Sequence, residues 1–534
     1  MTRLESLPFD VIHIIVSNLS PHDLPAVALV CHLFNGAATP KIYANIRYTH
    51  QLAKQWGQIL CPVELLGARS DLLAYLKALD LRAVPLYKGA PHPQFIRACI
   101  HVVQHAPGLT SFSWATAGLY EGLLVNILRI LAPDNGTTSR NRAGTTCEKA
   151  SMLDGDQDAS NTNTKLLRLS LTEDGLSSSD AHILQRLGPV EHMALHKPSV
   201  GATRALVEWV TSAADSALTS LAISNNYHLD APLLGRILAN TRKLKSLSIT
   251  NCLRIEPCSL FSIISNTGLE LESLAFTLPR DVEYDTLSAT FPSLPTLRHL
   301  SVLIEPPNEP DPDRHTHAPT DPLAQRLFRH LFKAIRNIKL YSLTLRLASH
   351  RTLTPKLLNA LITTQGQTLR RLNLFKLAVS AHGVADVLRH VSNLEQLSLE
   401  LGGVLDGLVR HHTLSLSVFF HCNFISAPRI LRIKLILAVT RVYAYAVQDL
   451  IIEALPVAQH LYTLIDTSPT VSATNRRPTT GKSRALTRAQ ATQLLEAGPV
   501  LGNVVSQQRN WAKEYVWTAG RFELGVSMRK VRAI

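Results

Sequence analysis

The stretch Leu244-Lys245-Ser246-Leu247-Ser248-Ile249-Thr250-Asn251-Cys252 contains the pattern that decides how this chain folds. It begins with a leucine, and apolar and small polar residues then alternate from Leu247 to Thr250. Such alternation is typical of a β-strand that buries one face, because successive side chains of a strand point to opposite sides. The sequence therefore predicts a strand in which Leu247 and Ile249 point inward.

The same L-x-x-L-x-L spacing recurs along the chain. Its middle residues are Leu79, Phe112, Leu169, Met193, Leu221, Leu247, Leu274, Leu300, Leu343, Leu372 and Leu397. The steps between them are 33, 57, 24, 28, 26, 27, 26, 43, 29 and 25 residues. Most of these steps match the period of leucine-rich repeats, in which Asn226 and Cys252 would fill the Asn or Cys position after the strand. Amphipathic segments lie between the strands. We therefore predict an α/β solenoid with parallel strands inside and helices outside.

The size and charge of the chain limit the number of domains and the kinds of partner that we expect. A chain of 534 residues is too long for a single core. The net charge is +14, but residues 407–534 contribute 16 basic and 6 acidic side chains, so the repeats themselves are nearly neutral. A nucleic-acid-binding protein would place positive charge on its binding surface. We therefore expect no nucleic-acid partner.

Other features of the sequence argue against several classes of protein. The seven cysteines include no C-x-x-C pair, which argues against a zinc knuckle or redox motif and favours buried thiols. Acidic and polar residues interrupt the N-terminus early, so we expect no secretory signal. Basic residues also interrupt the apolar segment 418–446, so no membrane span is predicted. No catalytic motif, cofactor site or metal site is predicted.

The first fifty residues predict three short helices. Pro8 suits a first helical turn, and apolar residues follow it at helical spacing. Ser20 and Pro21 predict the cap and the first position of a second helix. A third helix is predicted over 31–46.

Four elements of this region carry a resemblance. They are Leu7-Pro8, Asp10-Val11-Ile12, Asp23-Leu24 and Leu29-Val30-Cys31, and they occur in this order. Together they resemble an F-box, a helical module that binds the Skp-family adaptor of a cullin ubiquitin ligase. The resemblance implies that the adaptor contacts Leu7, Pro8, Ile12, Ile15, Leu24, Val30, Cys31 and Phe34. Where this chain has Phe34 the family often has Trp, so we expect a reduced affinity for the adaptor.

The combination resembles the fungal-type F-box/leucine-rich-repeat proteins, and the resemblance covers the F-box and, by pattern, residues 76–416. The resemblance implies a non-catalytic subunit that recognises the substrate of a Skp–cullin–F-box ubiquitin ligase. Its partners would be a Skp-like adaptor, through it a cullin, and a target protein, and its location the cytoplasm, the nucleus or both. Two alternatives stay open: an F-box scaffold that acts outside a ligase, and a repeat protein that binds other proteins without a ubiquitin function. Target contacts would come from Arg168, Lys245, Arg298, Arg371 and Glu395 on the strands.

The pattern also predicts the domain boundaries. We predict an F-box at 1–48, a connecting helical segment at 49–75 and the repeats at 76–416, with disordered insertions at 132–164 and 305–321. After them come an anomalous segment (417–447), a repeat-like segment (448–466), a flexible basic linker (467–488), a terminal repeat or cap (489–525) and a tail (526–534). The abrupt change of composition at 417–447 motivates the hypothesis that this segment is a gene-model error.

Overall fold

A computed structural model gives the fold of the chain, which divides into two compact units, Met1–Ile255 and Glu256–Ile534. The residues that it describes are 7–19, 21, 23–88, 90–116, 121–132, 166–172, 176, 179–212, 217–279, 291–304, 322–379, 383, 386–387, 390–391, 393–394, 396–402, 415–419, 433–438, 461–466, 492–493, 495–496, 503–506, 509–518 and 521–530. The predicted insertion at 305–321, the predicted linker at 467–488 and nearly all of the predicted insertion at 132–164 lie outside them.

Three helices form the N-terminal helical region: α1 (Phe9–Ser17), α2 (Leu24–Ala28) and α3 (His32–Ala44). The second helix begins at Leu24, later than the cap predicted at Ser20, and it is Pro25 that occupies its first turn. The third helix lies within its predicted range. Their core consists of Ile12, Val16, Leu24, Phe34, Ala37 and Ala38. Because these side chains exclude water from between the helices, their burial is what holds the small region together.

The first sheet of the fold begins earlier than the predicted start of the repeats. Strand β1 (Asn45–Tyr48) pairs in parallel with β2 (Ala78–Leu81), and the ring of Tyr48 is buried. The range 1–48 predicted for the F-box therefore contains an edge strand of the sheet. Helices α4 (His50–Lys54), α5 (Pro62–Ala68) and α6 (Ser70–Leu73) lie in the predicted connecting segment.

The first unit contains seven parallel strands among its described residues. After β1 and β2, and a short antiparallel hairpin of β3 (Leu86–Tyr87) and β4 (Ala90–Pro91), come β5 (Ser111–Trp114), β6 (Arg168–Thr172), β7 (His192–His196), β8 (Ser220–Ser224) and β9 (Ser246–Thr250). Consecutive strands pair in register, so that the middle leucine-type residues align as Leu79, Phe112, Leu169, Met193, Leu221 and Leu247. All six are buried. The strand prediction is confirmed at each of these positions.

Helical connections join these strands, as parallel pairing requires. They are α7 (Pro93–His105), α8 (Glu121–Leu131), a 3-10 helix (Ala181–Arg186), α9 (Val200–Ser212) and α10 (Ala231–Ala239). Consecutive connections pack side by side. Each buries an apolar face: in α10, for example, Leu234, Ile237 and Leu238 recur at the spacing of one helix face.

Asn226 holds the turn that follows β8. Its side chain is fully buried, donates to Thr203 Oγ1 at 3.0 Å and accepts from the amides of His228 and Leu229 at 2.8 and 3.1 Å. The Asn226 side chain therefore supplies the hydrogen-bond acceptor for two backbone amides that find no backbone partner in the turn.

We expect Asn226→Leu to destabilise the first unit. The substitution leaves the buried Leu229 amide and the partly buried His228 amide without their partner and removes one hydrogen-bond donor to the Thr203 hydroxyl, and each lost buried partner costs about 1–3 kcal/mol. Urea unfolding should show a clearly lower midpoint for this variant. Asn240→Leu is the control, because Asn240 is exposed and its side chain makes a hydrogen bond to the Arg236 carbonyl at the end of α10. Equal midpoints for the two variants would contradict this role of Asn226.

The second unit begins with the same architecture. Its parallel strands are β10 (Ser273–Leu278), β11 (His299–Ile304), β12 (Ser342–Thr352), β13 (Arg371–Val379) and β14 (Gln396–Gly402). The middle residues again align, as Leu274, Leu300, Leu343, Leu372 and Leu397. Its described helices are α11 (Pro257–Thr267), α12 (Pro322–Ala334) and α13 (Pro355–Gln365). Each helix begins with a proline, whose missing N–H is harmless in a first turn.

From β15 (Ser415–Phe419) onward the pairing is mixed: β16 (Ile433–Ala438), β17 (Leu461–Asp466) and β18 (Asn503–Ser506) pair in parallel, and the other pairs are antiparallel. Strand β15 is antiparallel to both β14 and β16. The strands β18, β19 (Arg509–Thr518) and β20 (Arg521–Lys530) form an antiparallel meander. Two residues separate its neighbouring strands, and so short a connection can join only antiparallel strands. The predicted terminal cap thus contains hairpins, and the hypothesis about 417–447 stays a hypothesis.

The described residues meet neither the requirements of a membrane-spanning helix nor those of a site with three or more metal-binding side chains. Among them, no helix has the length and apolar character that a membrane span requires. Within the same residues, no cluster of three or more histidine, cysteine, aspartate or glutamate side chains could hold a metal ion.

Candidate interaction surfaces

One face of α1 stays apolar although it is exposed. Val11, Ile14 and Ile15 lie at positions i, i+3 and i+4, which share a face of a helix. Ile12 and Val16 point into the core instead. The helix therefore has one apolar stripe that its own fold fills and a second one that remains available to a partner.

The turn between α2 and α3 exposes a second apolar group. Leu29 is 86% exposed and Val30 is 63% exposed, and Leu33 follows in the first turn of α3. Backbone hydrogen bonds fix the turn, since the amide of Val30 donates to the Val27 carbonyl at 3.1 Å. Large apolar side chains that stay in water contribute no hydrophobic stabilisation to the isolated chain. A group of such side chains is typical of a surface that binds another protein. We call the exposed residues Val11, Ile14, Ile15, Leu29, Val30 and Leu33 the apolar docking residues.

The structure divides the eight predicted adaptor contacts into three groups. Pro8, Ile15 and Val30 are exposed; Leu7 and Cys31 are half-buried against the core; Ile12, Leu24 and Phe34 are buried within it. Ile12, Leu24 and Phe34 leave little side-chain area for a partner and pack beneath the exposed residues. Their contact with an adaptor, and the effect of Phe34 on its affinity, stay predictions.

Four of the apolar docking residues are not among the adaptor contacts predicted from the sequence: Val11, Ile14, Leu29 and Leu33. A helical-wheel reading of α1 could have found the first two, because a core stripe through Ile12 and Val16 directs the next apolar residues outward. No comparable periodicity exists in the turn that carries Leu29, so its exposure was not readable from the sequence.

The comparison with protein-family models decides what this helical region is. Residues 4–40 match the F-box domain. The match contains α1 and α2 and most of α3, and with them all six apolar docking residues. The F-box predicted at the start of the chain is therefore confirmed.

Two further comparisons concern the chain as a whole. No curated protein is similar enough to the chain to count as a match. Among solved structures, the chain is similar to one in the crystal structure of the Rad7 and Elc1 complex in yeast, with 14% sequence identity and a TM-score of 0.41. The similarity covers 72% of this chain and 85% of that one.

The predicted target contacts occupy the starts of the strands. Arg168 and Arg371 are the first residues of β6 and β13, while Lys245 and Arg298 immediately precede β9 and β11. Arg168, Lys245 and Arg371 are exposed and Arg298 is half-buried. Glu395 lies outside the described residues. Arg168 and Lys245 belong to the first unit, and Arg298 and Arg371 belong to the second.

Arginines and an aromatic ring meet at the start of the strands of the second unit. The guanidinium groups of Arg298 and Arg370 each lie over the ring of Tyr341, at 5.3 Å from its centre. All three residues directly precede a strand, and backbone hydrogen bonds join them in a row: the Tyr341 amide donates to the Arg298 carbonyl, and the Arg370 amide to that of Tyr341. Sequence reasoning selected Arg298 but neither Tyr341 nor Arg370.

Two ion pairs lie at the first strands of the sheet, and both share one aspartate. Asp80 on β2 pairs with Arg47 at 3.0 Å and with Arg82 at 2.9 Å. The two arginines are largely exposed, so these pairs contribute little to stability. The single carboxylate of Asp80 offsets only one of the two positive charges, so the group keeps a net charge of +1.

The described thiols suit a packing role. Cys61, Cys99 and Cys252 are buried, and burial raises the pKa of the Cys252 thiol to about 11. A thiol with a raised pKa stays protonated at neutral pH and is a poor nucleophile. These three cysteines therefore behave as the small buried side chains that the sequence predicts.

Proposed function

We propose that this chain is the substrate-recognition subunit of a Skp–cullin–F-box ubiquitin ligase. The observation that carries the proposal is the F-box at residues 4–40, whose helices and the turn between α2 and α3 keep the six apolar docking residues exposed above a filled core. In this proposal the F-box binds a Skp-like adaptor, and through it a cullin. The strand-and-helix units bind the target.

In this proposal the subunit contributes to ubiquitin transfer by positioning the target. A chain that holds a target beside the ubiquitin-loaded enzyme raises the effective concentration of the reacting groups without taking part in the reaction. The assigned role needs two surfaces on one chain: apolar residues for the adaptor, and exposed side chains at the strand starts for the target. The exposed apolar side chains of the F-box and the exposed side chains at the strand starts support this role.

Co-purification tests the proposal. The intact chain, expressed with an affinity tag, should retain a Skp-like adaptor and a cullin, identified by mass spectrometry. Adaptor without cullin would favour a scaffold outside a ligase, and absence of the adaptor would overturn the proposal. Point variants are preferable to deletion of residues 1–48, because that deletion also removes β1 from the sheet.

A further inference from the structure

One side of α12 (Pro322–Ala334) carries a row of basic side chains. Arg326, Arg329 and Lys333 are exposed on the helix. Arg336 is exposed in the turn that follows, where its amide donates to the Lys333 carbonyl at 3.4 Å and so continues the helical path. The spacing of three, four and three residues keeps all four side chains on one side. We call these four residues the basic face of α12.

The opposite side of the helix holds this row in a fixed direction. Its buried residues are Leu327, Phe328, Leu331, Phe332 and Ile335. The rings of Phe328 and Phe332 stack with their centres 6.0 Å apart. The helix cannot rotate about its axis without exposing these apolar side chains to water. The basic face is therefore a fixed part of the surface of the second unit.

This concentration of positive charge is particular to α12. Among the described α-helices, every other one carries at most one lysine or arginine. No aspartate or glutamate occurs in α12, and none occurs in α13 (Pro355–Gln365), which packs against it and adds Lys356. The described helix beside α12 therefore does not neutralise the basic face.

Repulsion within the basic face costs the free chain stability. Each consecutive pair of its residues places like charges three or four positions apart on a helix, which is destabilising. Within the part of the chain that the structure describes, no ion pair joins any of the four to an acidic side chain. An anionic partner would relieve this repulsion, and the long stems of arginine and lysine would add apolar contact area.

We propose that the basic face of α12 binds an acidic helix of a partner protein. The inference goes beyond the proposed function, because this face includes no residue of the F-box or of the strand starts. With a rise of about 1.5 Å per residue, successive cations lie about 4.5, 6 and 4.5 Å apart along the helix axis. A partner helix with carboxylates at the same spacing can pair with all four. An extended strand fits less well, because its side chains return to one face only every 6.6 Å or so.

Broader anionic surfaces also fit this face less well. A lipid bilayer holds an amphipathic helix through its apolar side, and in α12 that side is already buried. A nucleic-acid duplex carries dense negative charge on two strands, which favours a wide positive patch. Beside the row, α13 adds only Lys356. A single row of cations best suits a single row of carboxylates.

Fluorescence anisotropy with the intact chain tests the inference. The probes are three labelled, alanine-rich helical peptides of sixteen residues. The row peptide has four glutamates spaced three, four and three residues apart, the spread peptide has four glutamates distributed around the helix, and the neutral peptide has glutamines instead. We expect the row peptide to bind most tightly and the neutral peptide not to bind. Added salt should weaken the binding, because it screens exposed charges.

Removal of the basic face gives the decisive variant. Arg326→Gln, Arg329→Gln, Lys333→Gln and Arg336→Gln together should weaken binding of the row peptide about 10- to 100-fold, because four ion pairs are lost. The melting temperature should be unchanged or higher, since Gln is a good helix former and the repulsion is gone. A lower melting temperature would show that the four side chains already have stabilising partners in the free chain, and it would overturn the inference.

A control variant separates recognition from net charge. Arg97→Gln, Arg204→Gln, Arg236→Gln and Arg242→Gln together remove the same charge from exposed positions of the first unit. This control should bind the row peptide like the original chain. None of the positions changed in either variant lies in the F-box, so peptide binding and adaptor binding are measured independently.

Four further outcomes would overturn the inference. They are no binding of the row peptide, equal binding of the row and spread peptides, and equal weakening by the control variant. The fourth is tighter binding of a twelve-base-pair DNA duplex that is lost with the basic face, which would indicate a nucleic-acid surface.

Discussion

Val30→Asp is expected to weaken binding of a Skp-like adaptor by about 30-fold or more, the effect of losing a central contact worth about 2 kcal/mol. Val30 is 63% exposed in the turn between α2 and α3, so the substitution places a carboxylate on the surface of the free chain at little cost. In the complex the same carboxylate would lose its water against apolar side chains, which is strongly unfavourable. Affinity is measured by titrating purified adaptor against the variant.

Two further variants define the surface. Ile14→Asp tests the outer face of α1 independently and should also weaken adaptor binding. Leu60→Asp is the control, because Leu60 is 69% exposed outside the F-box, and this variant should bind normally. Thermal melting should be nearly unchanged for Val30→Asp and Leu60→Asp. Full adaptor binding by both Val30→Asp and Ile14→Asp would show that the apolar docking residues do not form the interface.

A substitution at Ile12 could not test the interface in the same way. The side chain of Ile12 is completely buried, so Ile12→Asp would place a charge in the core of the three helices and unfold them. A loss of adaptor binding by that variant would not distinguish contact from folding. Substitutions of the exposed residues Val30 and Ile14 can distinguish loss of contact from loss of folding.

Gln365→Leu is expected to lower the unfolding free energy by about 2–4 kcal/mol, because the Ile338 carbonyl and the Leu340 amide lose their partner at about 1–3 kcal/mol each, while the Ile335 carbonyl keeps the amide of Ile338. Gln365 is 1% exposed at the end of α13. Its Nε2 donates to the carbonyls of Ile335 and Ile338, each at 2.9 Å, and its Oε1 accepts from the amide of Leu340 at 3.2 Å. One side chain thus completes the turn that leads into β12.

Gln367→Leu is the matched control for this variant. Gln367 lies two residues further along, is exposed, and accepts from Asn393 through its backbone carbonyl, which the substitution keeps. Urea unfolding monitored by circular dichroism should give a lower midpoint for Gln365→Leu and an unchanged one for Gln367→Leu. The same midpoint in both variants would mean that water or relaxation satisfies the carbonyls of Ile335 and Ile338.

The sequence by itself determined the strands of the repeats and the place of the F-box. Alternation of buried and exposed side chains is a local property of a strand, so the L-x-x-L-x-L pattern located all eleven strands from β2 to β14 that carry it. The middle residues of this pattern align in register within each unit, as they do for Leu221 and Leu247. Local patterning also identified the F-box, together with the order of the elements Leu7-Pro8, Asp10-Val11-Ile12, Asp23-Leu24 and Leu29-Val30-Cys31.

Only the tertiary structure decided which side chains remain at the surface and which distant ones meet. Ile12, Phe34 and Val30 are equally apolar in the sequence, but packing among three helices buries the first two and leaves Val30 exposed. Arg298 and Arg370 are far apart in the chain and meet at Tyr341 because parallel strands bring their starting residues together. Burial and juxtaposition depend on neighbours from elsewhere in the chain, which no local pattern specifies.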